Sequence, residues 1–169
     1  EGEIAKALNI VCGKDNFEYS FCGRTDAGVH AMGQVMNVKT SRSFASVSKF
    51  ALGLNFNLRG EEISATSSHL VNSNFDARFS CTSRSYRYII LNRSFKSPLL
   101  KNKAWLVPYK LDFTKMMKAK ELFMGTYDFS AFRTLGCVAK SPVKTITKLE
   151  IMRKGEEIWI EISAPSFLY

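Results

Sequence analysis

An acidic side chain inside a glycine-bearing octet is the feature of this sequence best suited to chemistry. Residues 23–30 read Gly-Arg-Thr-Asp-Ala-Gly-Val-His. The glycines permit a tight turn and the close approach of a ligand, and Arg24 offers a planar fork of donors that suits phosphate. Asp26 is therefore a candidate nucleophile or general base. The alternative is a turn aspartate that only bonds nearby backbone, and the octet alone supports both interpretations equally.

Positive charge is concentrated in two long stretches that contain no acid. The chain of 169 residues carries 24 Lys and Arg against 15 Asp and Glu, a net charge of +9. No acidic residue occurs in 27–60 or in 77–111, and the second stretch interleaves its cations with aromatic side chains. Such a surface is typical of a protein that meets a polyanion. A solvated basic face without a partner is the alternative that charge leaves open.

The composition indicates a globular chain, with 46% hydrophobic residues and 13 Phe. No apolar run approaches the roughly 18 residues that span a bilayer, so we expect no membrane segment. The four cysteines are scattered without a C-x-x-C pair, which favours free thiols in a reducing cytoplasm over a metal site. The start lacks both a signal peptide and an initiator Met, which suggests a fragment.

The hydrophobic periodicity predicts an α+β fold, with a mixed, mainly antiparallel sheet flanked by helices. Helices are predicted over 4–11, 44–54 and 113–124, and strands over 18–22, 33–40, 61–71, 84–91, 104–107, 143–153 and 157–163. Ser41 or Ser43 is expected to cap the second helix, and Gly125 to stop the third. The last two strands should form a hairpin with one buried face.

Four ordered groups of residues resemble the motifs of the tRNA pseudouridine synthase A family, nearly from end to end. The first is the octet followed by Gly33-Gln34-Val35. The others are Phe75-Asp76-Ala77-Arg78 with Arg84-Ser85-Tyr86-Arg87-Tyr88, then Asp128-Phe129-Ser130-Ala131-Phe132-Arg133 with Ser141-Pro142-Val143-Lys144-Thr145-Ile146, and finally Ala164-Pro165-Ser166-Phe167-Leu168.

The resemblance implies a pseudouridine synthase catalytic domain over 1–169, incomplete at both ends, with two lobes at roughly 1–75 and 76–169 and a basic central cleft. It implies a cofactor-free isomerase that converts uridine in the anticodon stem-loop of tRNA to pseudouridine. Asp26 would attack a flipped-out uridine, at C6 of the ring or at C1′ of the sugar, and both routes stay open. It also implies a homodimer for the full-length protein.

The same resemblance implies roles for side chains around Asp26. Tyr86 would pack on the flipped uracil, while Arg24 would occupy the space that the flipped base leaves in the RNA stem or hold a phosphate. Tyr88, although it shares a strand face with Tyr86, is expected in the core. The candidate phosphate contacts, which would position the RNA without reading its sequence, are Arg78, Arg84, Arg87 and Lys144. No metal ligand is expected.

Three family segments are absent from this sequence. They are an early strand with Tyr-Asp-Gly, a Gly-Trp-Gln that follows it, and a late Met-Val-Arg segment, whose Arg is expected to pair with the catalytic Asp. The alternative function is therefore a non-catalytic RNA-binding fragment or homologue with the same fold. A hydrolase that uses Asp26 is a more distant alternative, because it would need a second carboxylate or a metal cluster near the octet.

Overall fold

The computed structural model describes residues 1–137 and 139–168 and divides the chain into two compact units. The first unit contains Glu1–Thr25 and Ala31–Ser80, and the second contains Asp26–His30 together with the chain from Cys81 onward. The octet is thus shared between the units. The single catalytic domain, its lobe boundary near residue 75 and its basic cleft stay predictions.

The first unit consists of two helices and a two-stranded antiparallel ladder. Its elements are α1 (Gly2–Cys12), β1 (Phe17–Phe21), β2 (Met36–Thr40) and α2 (Val47–Asn57). One stripe of α1 is buried at the i, i+1, i+4, i+5 spacing that a helix turns toward one side, namely Ala7, Leu8, Val11 and Cys12. This stripe packs against Leu54 and Leu58, so α1 and α2 share one core.

The second unit is built on a four-stranded sheet in the order β4-β3-β8-β7. Its elements are β3 (Arg84–Leu91), β4 (Trp105–Leu106), α3 (Phe113–Lys120), β5 (Gly125–Asp128), β6 (Val143–Ile146), β7 (Lys148–Lys154) and β8 (Glu157–Ala164). The β3–β8 and β7–β8 pairs are antiparallel and β3–β4 is parallel. A separate antiparallel ladder joins β5 and β6. The predicted α+β class with mainly antiparallel pairing is confirmed.

The core of the second unit lies at one end of this sheet. Ile90 on β3 stands opposite Ile158 on β8, and both are buried together with Val107. Phe113 and Met116 from α3 pack against them. Side chains alternate along a strand, so Tyr86 and Tyr88 lie on the same sheet face as Ile90.

Two predicted helices have different ends. α2 begins three residues later than expected, after Ser46, whose Oγ accepts a bond from the Lys49 N–H at 3.4 Å. α3 ends at Lys120 and continues as a short 3₁₀ turn, Glu121–Phe123. Gly125, expected as the helix stop, instead begins β5 with φ +110°, a conformation that glycine adopts readily.

The predicted strand over 61–71 is wrong, because side-chain hydrogen bonds, and no backbone ladder, join this segment to α2. The Asn55 Nδ2 donates to the Ala65 carbonyl at 2.9 Å, and the Ala65 N–H donates to the Asn55 Oδ1 at 2.7 Å. These two bonds satisfy both backbone groups of Ala65, which a ladder would otherwise pair. The Ser68 side chain also bonds α2, since its Oγ donates to the Val47 carbonyl at 2.6 Å.

The predicted long strand over 143–153 is two strands. β6 pairs with β5 and β7 pairs with β8. Between them, the backbone N–H and the Oγ1 of Thr147 both donate to the Ser163 carbonyl, at 2.9 and 3.0 Å. The β7–β8 hairpin itself is confirmed, with Lys154 opposite Glu157.

No helix within residues 1–137 and 139–168 is long and apolar enough to cross a membrane. None of the four cysteines forms a disulfide within residues 1–137 and 139–168.

Candidate active site

The loop that carries Asp26 connects two paired strands and is pinned at its base. It leaves β1 and returns to β2. The Cys22 N–H donates to the Val35 carbonyl at 2.9 Å, which extends the ladder beyond the strand ends. The Gln34 Nε2 donates to the Gly23 carbonyl at 2.8 Å. Gln34 therefore fixes the start of the octet, a role that its place in the motif did not reveal.

Asp26 lies on an exposed turn. The Val29 N–H donates to the backbone carbonyl of Asp26 at 3.1 Å, and Gly28 has φ +82°. Space does not require a glycine at 28, since an added Cβ would meet nothing within 4 Å, whereas the positive φ does favour one. Because the turn closes through backbone, closing it uses no carboxylate oxygen of Asp26.

Arg24 and Asp26 are two residues apart, yet they belong to different units. Arg24 lies in the first unit, is exposed, and precedes the turn. Its predicted contact with the RNA stays a prediction.

Arg78, also in the first unit, lies on a turn that Asp76 organises. The Asp76 Oδ1 accepts bonds from the N–H groups of Arg78 and Phe79, at 2.8 and 3.0 Å. The buried Ala77 donates its N–H to the Asn37 Oδ1 on β2 at 2.8 Å. Next to this anchor, the Arg78 side chain is exposed. The second motif thus has a local structural basis, and the phosphate contact of Arg78 stays a prediction.

Tyr86 stands half-exposed on β3, opposite Ile162 of β8. The ring of Phe167 meets it edge to face, with centroids 5.1 Å apart and ring planes at 77°. At the start of the same strand, Nη1 of Arg84 donates to the carbonyl of Pro165 at 3.0 Å. Phe167 belongs to the fourth motif, and its contact with Tyr86, 81 residues earlier, cannot be predicted from that motif.

The expectation that Tyr88 belongs to the core is wrong. Its side chain is 55% exposed and meets Trp105 of β4, with ring centroids 6.4 Å apart. The fully buried part of this sheet face begins two residues later, at Ile90, where Phe113 and Met116 pack.

Arg87 lies on the opposite face of β3 from Tyr86, because side chains alternate along the strand. Its guanidinium pairs with Glu161 at 2.7 Å and lies 4.3 Å from the ring centroid of Trp159. Glu161 also pairs with Lys148, at 3.6 Å. The phosphate contact predicted for Arg87 stays a prediction. In the structure the guanidinium of Arg87 already contacts the Glu161 carboxylate and the Trp159 ring.

The hydrogen bond from Arg87 lowers the pKa of Glu161 below its ordinary value. A carboxyl group whose pKa is depressed by folding stabilises the fold above its unfolded-state pKa and loses this contribution as pH falls through the folded-state pKa. We therefore expect Glu161→Gln to lower the melting temperature at pH 7. The deficit should shrink below the ordinary carboxylate range, and thermal melts from pH 7 to pH 3 measure it. A deficit that is the same at both ends would contradict the pairing.

The third motif holds a loop together through Arg133. Its Nη2 donates to the carbonyls of Cys137 and Ala139, at 2.8 and 2.9 Å. Lys144 is half-buried on β6, opposite Tyr127, and its contact with phosphate stays a prediction.

The described residues contain no group of three or more His, Cys, Asp or Glu side chains placed to hold a metal ion.

Comparison with known proteins connects this site to a family. The sequence profile described as tRNA pseudouridine synthase matches residues 119–169. A tRNA pseudouridine synthase A of Xanthobacter autotrophicus is 42% identical over all 169 residues, which cover 68% of that relative. The chain belongs to the tRNA pseudouridine synthase A family. Relatives of the same name from Hyphomonas neptunium and Bradyrhizobium diazoefficiens are 43% identical over 154 residues and 41% identical over 169 residues. The alignment with the Hyphomonas protein covers 90% of this chain and 61% of that relative. The alignment with the Bradyrhizobium protein covers the whole chain and 68% of that relative.

Membership of the tRNA pseudouridine synthase A family confirms the resemblance drawn from the motifs. The family consists of isomerases of tRNA processing, and its reaction is the conversion of uridine to pseudouridine. The synthase match over 119–169 includes β5 to β8, and hence the strand that faces Tyr86. The octet with Asp26 lies within the alignment that spans the whole chain.

Proposed function

We propose that this synthase isomerises uridines in the anticodon stem-loop of tRNA, with Asp26 as the nucleophile. The observation that carries the proposal is the exposed carboxylate on a turn that closes through its own backbone, in a loop pinned by Gln34. A rigid support keeps a reactive group oriented without the entropy cost of ordering it at each turnover.

The reaction needs no change in redox state. The carboxylate of Asp26 adds to C6 of the uracil ring or to C1′ of the ribose. In either route the bond from N1 to C1′ breaks, the base turns, and a bond from C5 to C1′ forms. The bond between Asp26 and C6 or C1′ breaks again before the product leaves, which restores the free carboxylate. The proton at C5 then leaves and N1 gains a proton, so atoms and electrons balance. Both points of attack remain part of the proposal.

The target base must leave its stack before Asp26 can reach it. Flipping a base costs a few kcal/mol. Stacking on an aromatic ring returns about 1–3 kcal/mol per base, so a single exposed ring offsets much of that cost. Tyr86, with 45% of its side chain exposed, is the ring we assign to the uracil, and Arg24 is assigned to the vacated space or to a phosphate.

Binding of the tRNA would draw on the net charge of +9. Arg78, Arg87 and Lys144 are our candidates for phosphate contacts, which fix register and carry no sequence information. We also propose a cytoplasmic location and, for the full-length protein, a homodimer.

Release of tritium tests the function directly. A tRNA labelled with tritium at C5 of uracil loses one label for each pseudouridine formed. We expect release from a tRNA with uridines in its anticodon stem-loop, and none when those uridines are replaced by cytidine. Binding without release would favour the non-catalytic RNA-binding alternative. Equal release from both substrates would exclude the anticodon stem-loop as the target.

A further inference from the structure

The strand that carries Tyr86 is tied to the segment that follows its partner strand. β8 ends at Ala164, which is opposite Arg84 in the register. Pro165 has no N–H and cannot donate to the ladder. Its carbonyl instead accepts a bond from Nη1 of Arg84 at 3.0 Å. The arginine side chain thus extends the connection between the two strands past the point where the backbone ladder stops.

Two residues beyond Pro165, the chain places an aromatic ring against Tyr86. Phe167 is half-buried and meets the ring of Tyr86 edge to face, at 5.1 Å between centroids. Edge-to-face pairs have a defined geometry and favour it over free rotation of the rings. Tyr86 keeps 45% of its side chain exposed in this arrangement, so the contact orients the ring without covering it.

We propose that Arg84 is a positioning residue, which holds segment 165–167 so that Phe167 fixes the ring plane of Tyr86. This rests on the proposed function, in which Tyr86 stacks on the flipped uracil. A base that stacks on a wrongly oriented ring lies out of line with its nucleophile, and small misplacements cost rate more than binding. The competing interpretation is the phosphate contact that the sequence predicts for Arg84.

Paired substitutions separate a donor role from a charge role. Arg84→Met removes both the charge and the donor, whereas Arg84→Gln removes the charge and keeps an N–H donor. Phe167→Leu removes the ring and Phe167→Tyr keeps it. Arg93→Met and Phe95→Leu serve as matched controls, because Arg93 also donates to a carbonyl, that of Phe95 at 2.8 Å, and lies 4.3 Å from the Phe95 ring centroid.

The kinetic expectation is a loss in kcat with little change in KM. Arg84→Met and Phe167→Leu should each lower kcat about tenfold and leave KM within about twofold. Arg84→Gln and Phe167→Tyr should recover most of that loss, and the two control variants should match the parent. Because both residues act on one ring, the double variant should lose little more than either single variant. Additive losses would overturn the proposal.

Salt dependence of tRNA binding tests the competing interpretation. Losing one phosphate contact lowers the slope of log Kd against log salt by about 0.7–0.9. We expect the slope for Arg84→Met to equal that of the parent. A reduced slope in both Arg84→Met and Arg84→Gln, with kcat unchanged, would assign Arg84 to phosphate and overturn the positioning role.

A readout without catalysis keeps this proposal separate from the proposed function. Nuclear Overhauser effects between the ring protons of Tyr86 and Phe167, observed in selectively labelled protein, report the ring contact itself. They should persist in Arg84→Gln and weaken strongly in Arg84→Met. If the Overhauser effects are unchanged in Arg84→Met, the positioning role is overturned even when the enzyme is active. If they weaken in Arg84→Met but the parent protein releases no tritium, the proposed function is refuted and Arg84 still holds the ring of Tyr86.

Discussion

Replacing Asp26 by asparagine is expected to lower the rate of pseudouridine formation by at least about 10³-fold. Asparagine has nearly the same shape but no nucleophilic carboxylate. The affinity for tRNA should stay within about twofold or rise slightly, because the change removes a negative charge from the loop that the proposed function places against the RNA. Single-turnover tritium release measures the rate, and fluorescence anisotropy with labelled tRNA measures the binding.

Stability should not account for this loss. The Asp26 side chain is exposed and its turn closes through backbone, and exposed substitutions of this kind usually change stability by less than about 0.5 kcal/mol. Asp15→Asn is the matched control, because Asp15 is also exposed and its φ of +57° suits asparagine. It should leave the rate unchanged. An Asp26→Asn protein as fast as the parent would end the nucleophile assignment.

The sequence predicted best those strands whose alternation matches one buried face. β3 and β8 show this, since Ile90 and Ile158 stand opposite each other on one sheet face and pack against α3. A slip of one residue would turn that set toward solvent, so burial specifies the register. Alternation alone says nothing of which strand is the neighbour. The break at Thr147, where pairing passes from β5 to β8, therefore could not be predicted.

The strand expected over 61–71 shows a second limit. Its composition permits an extended chain, but a strand also requires a partner ladder. The amide of Asn55 takes both backbone groups of Ala65 instead. Nothing in the composition of the segment distinguishes a backbone partner from a side-chain partner, because the amide of an asparagine offers the same donor and acceptor as a peptide group.

The site shows the same division between local and distant information. The octet and the strand with Tyr86 are continuous stretches of sequence, so the candidate side chains within them could be predicted. The partners of the arginines are distant. Arg84 bonds a carbonyl 81 residues away, and Arg87 bonds a carboxylate 74 residues away. A cation in a basic stretch predicts a phosphate contact, and only the fold shows which protein acceptors the same cation meets.

Replacing Ile158 by alanine is expected to destabilise the second unit by about 3 kcal/mol. Ile158 is 0% exposed and central in the sheet, between Ile90 on β3 and Arg153 on β7. Removing its methyl groups loses transfer free energy and leaves a cavity that packed neighbours cannot fill. Ile158→Val should cost only about 0.5–1.5 kcal/mol. Leu122→Ala, at a position of the second unit that is 75% exposed, deletes the same number of carbon atoms and should cost less than about 0.5 kcal/mol.

Tryptophan fluorescence during urea unfolding is the suitable measurement, because Trp105 and Trp159 both belong to the second unit. Ile158 lies four residues from Ile162, the partner of Tyr86, or roughly 13 Å along the strand. The folded fraction of Ile158→Ala should therefore keep its rate at 25 °C, the reverse of the pattern expected for Asp26→Asn. Loss of rate in a fully folded Ile158→Ala protein would show that the core at one end of β8 sets the geometry at the other. A midpoint unchanged from the parent would contradict the core assignment.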